Sequence, residues 1–186
     1  MEGEGMMTGK SEKQDCFKKR FISAVIIYVL FLAIVFVGFK HIWVLSFVPT
    51  GSMEPTINEG DIALGTRYDT EEEDIERYDI LIFTLIDEPD TTYIKRVIGL
   101  PGDVIEVSNG KVYANGEELE DSFVKTPMNR RGDGIYAVPE GCYFFMGDNR
   151  NNSNDSRFWK GKYVPMENIV AKSKYIIPLS NLTDDK

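Results

Sequence analysis

Histidine is almost absent from this sequence and cysteine is scarce, since His41, Cys16 and Cys142 are the complete set. A Ser-His-Asp or Cys-His site would have to use His41, which lies beside Lys40 at the end of an apolar run, where an ordinary flanking residue is expected. Histidine-based zinc sites, Cys-x-x-Cys sites and glycine-rich phosphate loops are excluded as well. We therefore predict no metal and no cofactor.

Basic residues are also in deficit, because 30 acidic side chains face 21 basic ones and the formal net charge is -9. This balance argues against binding the phosphate backbone of nucleic acids as the main task. The charge is unevenly distributed, since residues 21–39 carry none and residues 40–186 carry 26 acidic against 16 basic side chains.

The uncharged stretch, residues 21–39, reads FISAVIIYVLFLAIVFVGF. At about 1.5 Å per residue, a helix of this length spans roughly 28 Å, close to the hydrocarbon thickness of a bilayer. A cleaved signal peptide usually has a shorter apolar region that ends in small residues, whereas this run continues into bulky ones. A buried helix would need apolar partners on all sides, and the sequence offers no second helix of that kind. The pattern favours a single transmembrane anchor.

The flanks of the anchor predict its orientation. Three basic residues, 18–20, precede it and favour an N-terminus in the cytoplasm. We therefore predict a cytoplasmic tail over 1–20, the anchor over 21–39 and an extracytoplasmic domain over 40–186 in the cell membrane.

On this topology the membrane separates Cys16 from Cys142, so the two cannot pair within one chain. Cys16 could be a lipidation site, although an unmodified thiol is the simpler interpretation. Cys142 lies in the apolar run GCYFFM and is predicted to be a small core residue.

After the anchor the pattern is predominantly that of β-strands, which makes the fold class mainly β. Runs rich in branched and aromatic residues cover 79–86, 93–100, 135–146 and 168–177. The segment DVIEVSNGKVYANGEELE contains two Asn-Gly pairs, each a strong hairpin signal because both turn positions need positive φ. The charged stretch 69–77 is predicted to be a solvated loop, and the part around 120–134 a small irregular excursion.

A serine can be activated without histidine if a lysine amine serves as the base. The amine must be neutral, and because its ordinary pKa is about 10.4, this requires burial in an apolar setting that disfavours the cation. Lys95 in TYIKRVIGLPGD is the best candidate, since Ile94 precedes it and Val97 and Ile98 follow. On the pattern alone, an outward-facing lysine on an edge strand is the commoner interpretation.

Two other stretches are unusual. VPTGSMEPT (48–56) presents Ser52 between two prolines, and GDNRNNSNDSR (147–157) follows directly on an apolar run. Each has an ordinary interpretation, the first as a turn and the second as a polar loop. A strand end that opens into a hydrogen-bonding loop is nevertheless a frequent place for a functional site.

Together and in this order, PTGSMEPT, YIKRVIGLPGD and GDNRNNSNDSR resemble the nucleophile, lysine and C-terminal motifs of the bacterial type I signal peptidases. These are membrane-bound serine proteases that remove signal peptides from exported proteins, and the likeness is closest to the short, single-anchor form of Gram-positive bacteria. GDIALGTR and RYDILIF resemble the strand pair between the first two motifs. The likeness covers residues 15–178. Tyr78 stands where the family usually has glycine, a departure that does not touch the chemistry.

The resemblance implies that Ser52 is the nucleophile of a Ser-Lys dyad and that Lys95 is its general base. It implies that the Ser52 N–H and the Thr50 hydroxyl hold the oxyanion, and that Ser153 hydrogen-bonds the Lys95 amine. The same motifs imply a supporting ion pair and a residue that ties down the C-terminal loop: Asp155 with Arg157, and Asp148.

Shallow apolar pockets are implied too, accepting alanine-like side chains at the first and third positions before the cut. Their expected walls flank the dyad in sequence: Val48, Pro49, Met53, Ile57, Tyr93 and Ile94. An exposed apolar surface near Ser52 and Met53 is expected to lie in the membrane interface. The expected partners are preproteins that carry signal peptides, and membrane lipid.

Three other functions are compatible with parts of this pattern. A self-cleaving repressor of the same Ser-Lys architecture would need a DNA-binding domain, and a membrane helix stands in its place. A processing protease for a narrow client, such as a pilin or a sortase substrate, fits the same residues. A catalytically inactive, membrane-tethered binding module is disfavoured because both Ser52 and Lys95 are present.

Overall fold

A computed structural model of the chain describes residues 5–68 and 74–179. The chain divides into two compact units, Met1–Ile42 and Trp43–Lys186. Part of the charged stretch predicted as a loop, and the side chain of Cys16, lie outside the described part.

The first unit contains one helix, α1, over Gly5–Ile42. Within it, Lys18–Phe39 is long and apolar enough to cross a membrane, and none of this span is buried inside the protein. The prediction of a single apolar helix over 21–39 is confirmed, and the helix extends beyond that run at both ends.

The second unit is built from strands, as predicted. Its eleven described strands are β1 Trp43–Phe47, β2 Ile62–Arg67, β3 Ile80–Leu85, β4 Glu88–Gly99, β5 Val104–Ser108, β6 Lys111–Ala114, β7 Glu117–Glu118, β8 Gly134–Ala137, β9 Cys142–Met146, β10 Val164–Pro165 and β11 Ile169–Ile177. Between residues 43 and 179, the helical elements in the described part are two single 3-10 turns, Gly51–Met53 and Met166–Asn168. The mainly β fold class is confirmed.

These strands form two antiparallel sheets. The larger has the order β1-β2-β11-β3-β4-β9-β10, and the smaller has the order β7-β6-β5-β8. The β4 strand lies inside the larger sheet, where its C-terminal half, Ile94–Gly99, is buried and its N-terminal half is exposed. Because the lysine predicted as a base falls in the buried half, it is a core residue and not an exposed edge residue.

The hairpin signals are confirmed by the backbone. Asn109 and Gly110 join β5 to β6, and Asn115 and Gly116 join β6 to β7, all four with positive φ. Two strands were not predicted. The β1 strand follows α1 without a turn residue between them, and β10 is only two residues long, so neither carries the usual flanking signal.

Tyr78, the residue that departs from the family pattern, has a φ of 77°. This left-handed conformation strains a residue that carries a side chain, by about 1–2 kcal/mol. The ring compensates by packing against Phe123, with centroids 5.8 Å apart, and the Tyr78 carbonyl accepts a hydrogen bond from Arg96. The prediction that the departure stays at the level of a turn is consistent with this geometry.

Cys142 is half-buried in β9. It packs against an apolar cluster that includes Ile105 of the smaller sheet and Phe144 of the larger sheet. It therefore behaves as the small packing residue that its apolar run predicted.

Candidate active site

A groove of about 780 Å³ opens on the second unit. One wall is the chain from the end of β1 to the 3-10 turn, residues 46–52, and the opposite wall is residues 91–95 of β4. The loop after β9 closes one side with residues 151–154. The three stretches singled out in the sequence therefore meet at one place.

Ser52 is held in the 3-10 turn Gly51–Met53 and is only 6% exposed. The turn is fixed from both sides, because Val48 before it and Met53 within it are buried in one apolar cluster that also contains Ile57. An ordinary surface turn would leave its serine to solvent, whereas this one presents the hydroxyl to the floor of the groove.

The Lys95 amine lies 2.8 Å from Ser52 Oγ and 2.9 Å from the carbonyl oxygen of Ile94. The side chain is 4% exposed, in the buried half of β4. Burial lowers the pKa of Lys95 to about 8, against the opposing effect of the charges on Asp155 and Asp148. About a tenth of the amine is then neutral at pH 7, compared with less than about one part in a thousand at its ordinary value.

Thr50 and Ser153 were both expected beside the dyad. They lie close to it, but their hydrogen bonds differ from those predicted. The Thr50 hydroxyl donates to Ser52 Oγ at 3.3 Å, and because a hydroxyl rotates freely it can turn towards an oxyanion. Ser153 lines the groove, but its Oγ is buried with no hydrogen-bond partner, and the expected bond to the Lys95 amine is not formed. The amine contacts Ser52 and Ile94 instead.

The expected ion pair is present. Arg157 and Asp155 have fully buried side chains that form two parallel contacts of 2.8 Å each. Asp155 also accepts a hydrogen bond from the backbone N–H of Gly147, and Arg157 donates one to the carbonyl of Arg150. Bidentate pairs of this kind are geometrically specific, so the pair closes the 147–157 loop on itself.

Asp148 ties the 147–157 loop to the rest of the site, as expected. Its main partner, Arg96, was not predicted. Arg96, the residue after the candidate base, contacts both carboxylate oxygens, at 2.8 Å and 2.6 Å. Thr56, four residues after Ser52, donates to the same carboxylate. One aspartate therefore connects all three motifs.

Asn149 was missed by sequence reasoning. Its backbone N–H donates to the carbonyl of Ser52 at 3.1 Å, and its side-chain amide donates to the carbonyl of Gly51 at 3.0 Å. These bonds clamp the 3-10 turn Gly51–Met53 from behind. We call it the nucleophile turn, after the role predicted for Ser52. Asparagine is so common in polar loops that nothing in GDNRNNSNDSR distinguished this one from its neighbours.

Four of the six expected pocket residues line the groove: Val48, Pro49, Tyr93 and Ile94. Met53 and Ile57 do not line the groove; both are 0% exposed, in the apolar cluster that also contains Val48 and Ile94. Their assignment to the pocket stays a prediction. The far side of the groove is more polar than predicted, with Arg131, Asn152 and Asn154 among its residues.

Across residues 5–68 and 74–179, no group of three or more histidine, cysteine, aspartate or glutamate side chains is arranged to hold an ion. The chemistry available at the groove is that of a serine hydroxyl, a buried amine and nearby hydrogen-bond donors.

Comparison with known proteins gives one consistent result. Residues 19–177 match the sequence model of the family described as signal peptidase, peptidase S26. A signal peptidase I of Pseudomonas fluorescens is 33% identical, over 68% of this chain and 61% of its own. A signal peptidase I of Rickettsia bellii is 33% identical, over 85% and 71%. A crystal structure of a signal peptidase I from Enterococcus faecalis overlaps 55% of this chain and 98% of its own, with 28% identity and a TM-score of 0.49. The chain thus spans about three fifths of the length of the first of these relatives.

Proposed function

The chain belongs to the signal peptidase family, peptidase S26, and from that premise we propose that it is a membrane-bound serine endopeptidase that removes N-terminal signal peptides from exported preproteins. The observation that carries the proposal is the 2.8 Å contact between Ser52 Oγ and Lys95 Nζ. An inactive binding module would have no need of a buried amine against a buried hydroxyl, because burying that amine is unfavourable.

The proposed reaction runs through an acyl-enzyme. Ser52 Oγ attacks the scissile carbonyl while the neutral Lys95 amine accepts its proton, and the ammonium then protonates the leaving amine. The Ser52 N–H and the Thr50 hydroxyl stabilise the oxyanion. A water molecule, deprotonated by Lys95, next attacks the ester, which releases the signal peptide and restores the serine. Ser153, Asp148, Asp155 and Arg157 are proposed to support the dyad.

The shape of the groove supports binding of an extended peptide. The β1 strand is at the edge of the larger sheet, and the exposed half of β4 faces the same groove. An extended substrate can add to such an edge through its backbone, with alternate side chains directed into the walls. Val48 and Ile94 are buried and branched, which leaves shallow space for the residues at positions -1 and -3.

The specificity prediction concerns the preprotein. The full-length protein in detergent is expected to cut a preprotein once, after the second alanine of an Ala-x-Ala site. Leucine at position -1 should lower kcat/KM by about tenfold or more, because several added carbon atoms do not fit against Val48 and Ile94. Mass spectrometry of the two products maps the cut.

Position -2 supplies the matched control. Its side chain points away from the walls in an extended peptide, so leucine there should leave kcat/KM within about twofold. A cut mapped elsewhere, or equal sensitivity at -1 and -2, would contradict the proposed function.

The pH dependence follows from the state of Lys95. The base must be neutral, and because burial lowers the pKa of Lys95 to about 8, kcat/KM should rise about tenfold per pH unit below pH 8 and level off above it. Stopped assays from pH 6 to pH 10 with one preprotein measure the profile. A rise that continues to the ordinary lysine value, or no rise at all, would exclude Lys95 as the buried base.

The location proposed is the cell membrane, with one anchor over 21–39, the residues before it in the cytoplasm and the catalytic domain outside. The apolar span of α1 and the basic residues before it support this arrangement. The catalytic unit also exposes Leu45 and Phe47 on β1 and Tyr175 on β11, each more than 60%. Exposed apolar patches mark contact surfaces, and these side chains are proposed to form the apolar surface expected near Ser52 and Met53, since Phe47 also lines the groove that holds Ser52.

A further inference from the structure

Three arginines are buried in the second unit, and they differ in the hydrogen bonds and ion pairs that their guanidinium groups make. Arg96 and Arg157, 9% and 3% exposed, each contact an aspartate with two nitrogens. Arg150 is 5% exposed, yet within residues 5–68 and 74–179 its guanidinium makes no hydrogen bond and no ion pair, and its Nε is buried without a partner. A guanidinium carries five donors; here only the Nε–H is buried without a partner, so the two terminal nitrogens remain accessible to an acceptor from outside the protein.

The charge of Arg150 is only partly compensated by its surroundings. Burial lowers the pKa of Arg150 to about 10 and the nearby charge of Arg157 adds to this effect, against the opposing charges of Asp148, Asp155 and Asp121. Its contact with the ring of Phe123, 5.6 Å from the guanidinium carbon, supplies only weak stabilisation. Leaving a buried charge unpaired is costly, so an acceptor from outside the protein would be strongly favoured here.

Arg150 and the exposed Lys125 together line two cavities on the second unit. The larger, about 390 Å³, is also lined by Asn109, Lys111 and Asp121. The smaller, about 250 Å³, is also lined by Glu54 and Asp148. The larger cavity therefore has three cations against one carboxylate, while the smaller has two against two.

Some of the other charged side chains at these cavities already have an ion-pair partner. Asp148 is taken by Arg96, and Lys111 contacts Glu118 at 2.5 Å. Lys125 makes no hydrogen bond or ion pair with the residues that the structure describes. What remains at the larger cavity is a guanidinium and an ammonium that have no ion-pair partner among the described residues, with Asp121 as the one carboxylate in the lining.

We propose that Arg150 and Lys125 form a binding site for a phosphate-class oxyanion in the larger cavity, either inorganic phosphate or the phosphate of a lipid headgroup. The guanidinium offers two parallel donors to phosphate oxygens, and the lysine contributes a point charge. A tetrahedral anion fits easily within the cavity volume. The bound anion supplies the acceptors that Arg150 lacks.

The site is coupled to the nucleophile through one residue. Arg150 follows Asn149, whose two hydrogen bonds hold the carbonyls of Gly51 and Ser52. An anion that fixes Arg150 therefore also stiffens the clamp behind the nucleophile turn. Occupancy is expected to stabilise the 147–157 loop and, by linkage, to raise the melting temperature of the protein.

Binding can be tested apart from peptidase activity by using the full-length Ser52→Ala protein in a neutral detergent. Isothermal titration calorimetry with sodium phosphate, at an ionic strength held constant with sodium chloride, should give a saturable single site. Lys125→Ala should weaken the affinity about tenfold, as expected for loss of one charged hydrogen bond. Lys160→Ala removes an exposed lysine outside both cavities and should leave the affinity unchanged.

A second arm distinguishes the two sources of phosphate. Short-chain phosphatidylglycerol below its micelle concentration replaces the inorganic ion, and the same variants are titrated. Saturable binding of either probe that is lost in Arg150→Gln and weakened in Lys125→Ala supports the site and identifies its source. No saturable binding of either probe, or equal affinity in Lys125→Ala, overturns the proposal, and circular dichroism of Lys125→Ala confirms that this variant is folded.

Discussion

Replacing Lys95 by methionine is expected to lower kcat/KM for preprotein cleavage by about 10³-fold or more, since it removes the proposed base. Methionine matches the lysine stem in length and is apolar, so it suits the site where Lys95 is 4% exposed. The free energy of unfolding should therefore stay equal or rise, because a buried amine is unfavourable. Ser52→Ala should lose activity to a similar extent.

The double variant makes the test sharper. If Ser52 and Lys95 act as one unit, Ser52→Ala combined with Lys95→Met should be no less active than either single variant. Lys160→Met, which alters an exposed lysine, is the matched control and should keep full activity. Kinetic assays and thermal unfolding are measured on the same preparations. If Lys95→Met retains more than about a tenth of the activity, Lys95 is not the base.

The second large effect is expected from adding one methyl group at Gly147. A Cβ placed on Gly147 would lie 2.3 Å from Ser153 Oγ and 2.4 Å from the carbonyl oxygen of Ser52. Serine can move its hydroxyl, but the Ser52 carbonyl belongs to the nucleophile turn and is clamped by Asn149. Gly147→Ala should therefore displace the nucleophile and lower kcat/KM about 100-fold, with a loss of about 1–3 kcal/mol in stability.

Gly161 provides the control for that substitution. A Cβ there meets nothing within 4 Å, and its backbone is not in the left-handed region, so Gly161→Ala should leave both quantities unchanged. The melting temperature, measured first, shows whether Gly147→Ala is folded at the assay temperature. A folded Gly147→Ala protein with the activity of the parent would show that the turn can shift without consequence.

The sequence predicted the architecture well where local signals are strong. Asn109-Gly110 and Asn115-Gly116 mark their hairpins because only certain residues tolerate positive φ, and the structure has those turns. The apolar run 21–39 is confirmed as helix because nineteen uncharged residues leave few alternatives. By contrast, β1 lacks a flanking turn signal and depends on its pairing with β2, a contact that sequence does not reveal.

At the site, the sequence predicted which stretches meet but not how each side chain is directed. Lys95 could have been an edge residue on pattern alone, and only the neighbouring β3 and β9 strands make it buried. The burial of Met53 could not be read from the sequence either, because it depends on the 3-10 turn that places Met53 in one cluster with Val48 and Ile94. Ser153 lines the groove without a hydrogen bond to the amine, because the direction of its hydroxyl depends on local packing that no residue pattern encodes.

The clamp behind Ser52 also bears on the order in which the site is assembled. The groups that hold the nucleophile turn, Asn149 and Asp148, follow it by more than 90 positions in the chain. Contacts between such distant segments form late, since the intervening strands must first be brought together. A nascent chain that already contains Ser52 therefore lacks the groups that fix its turn until Asp148 and Asn149 have also been synthesised.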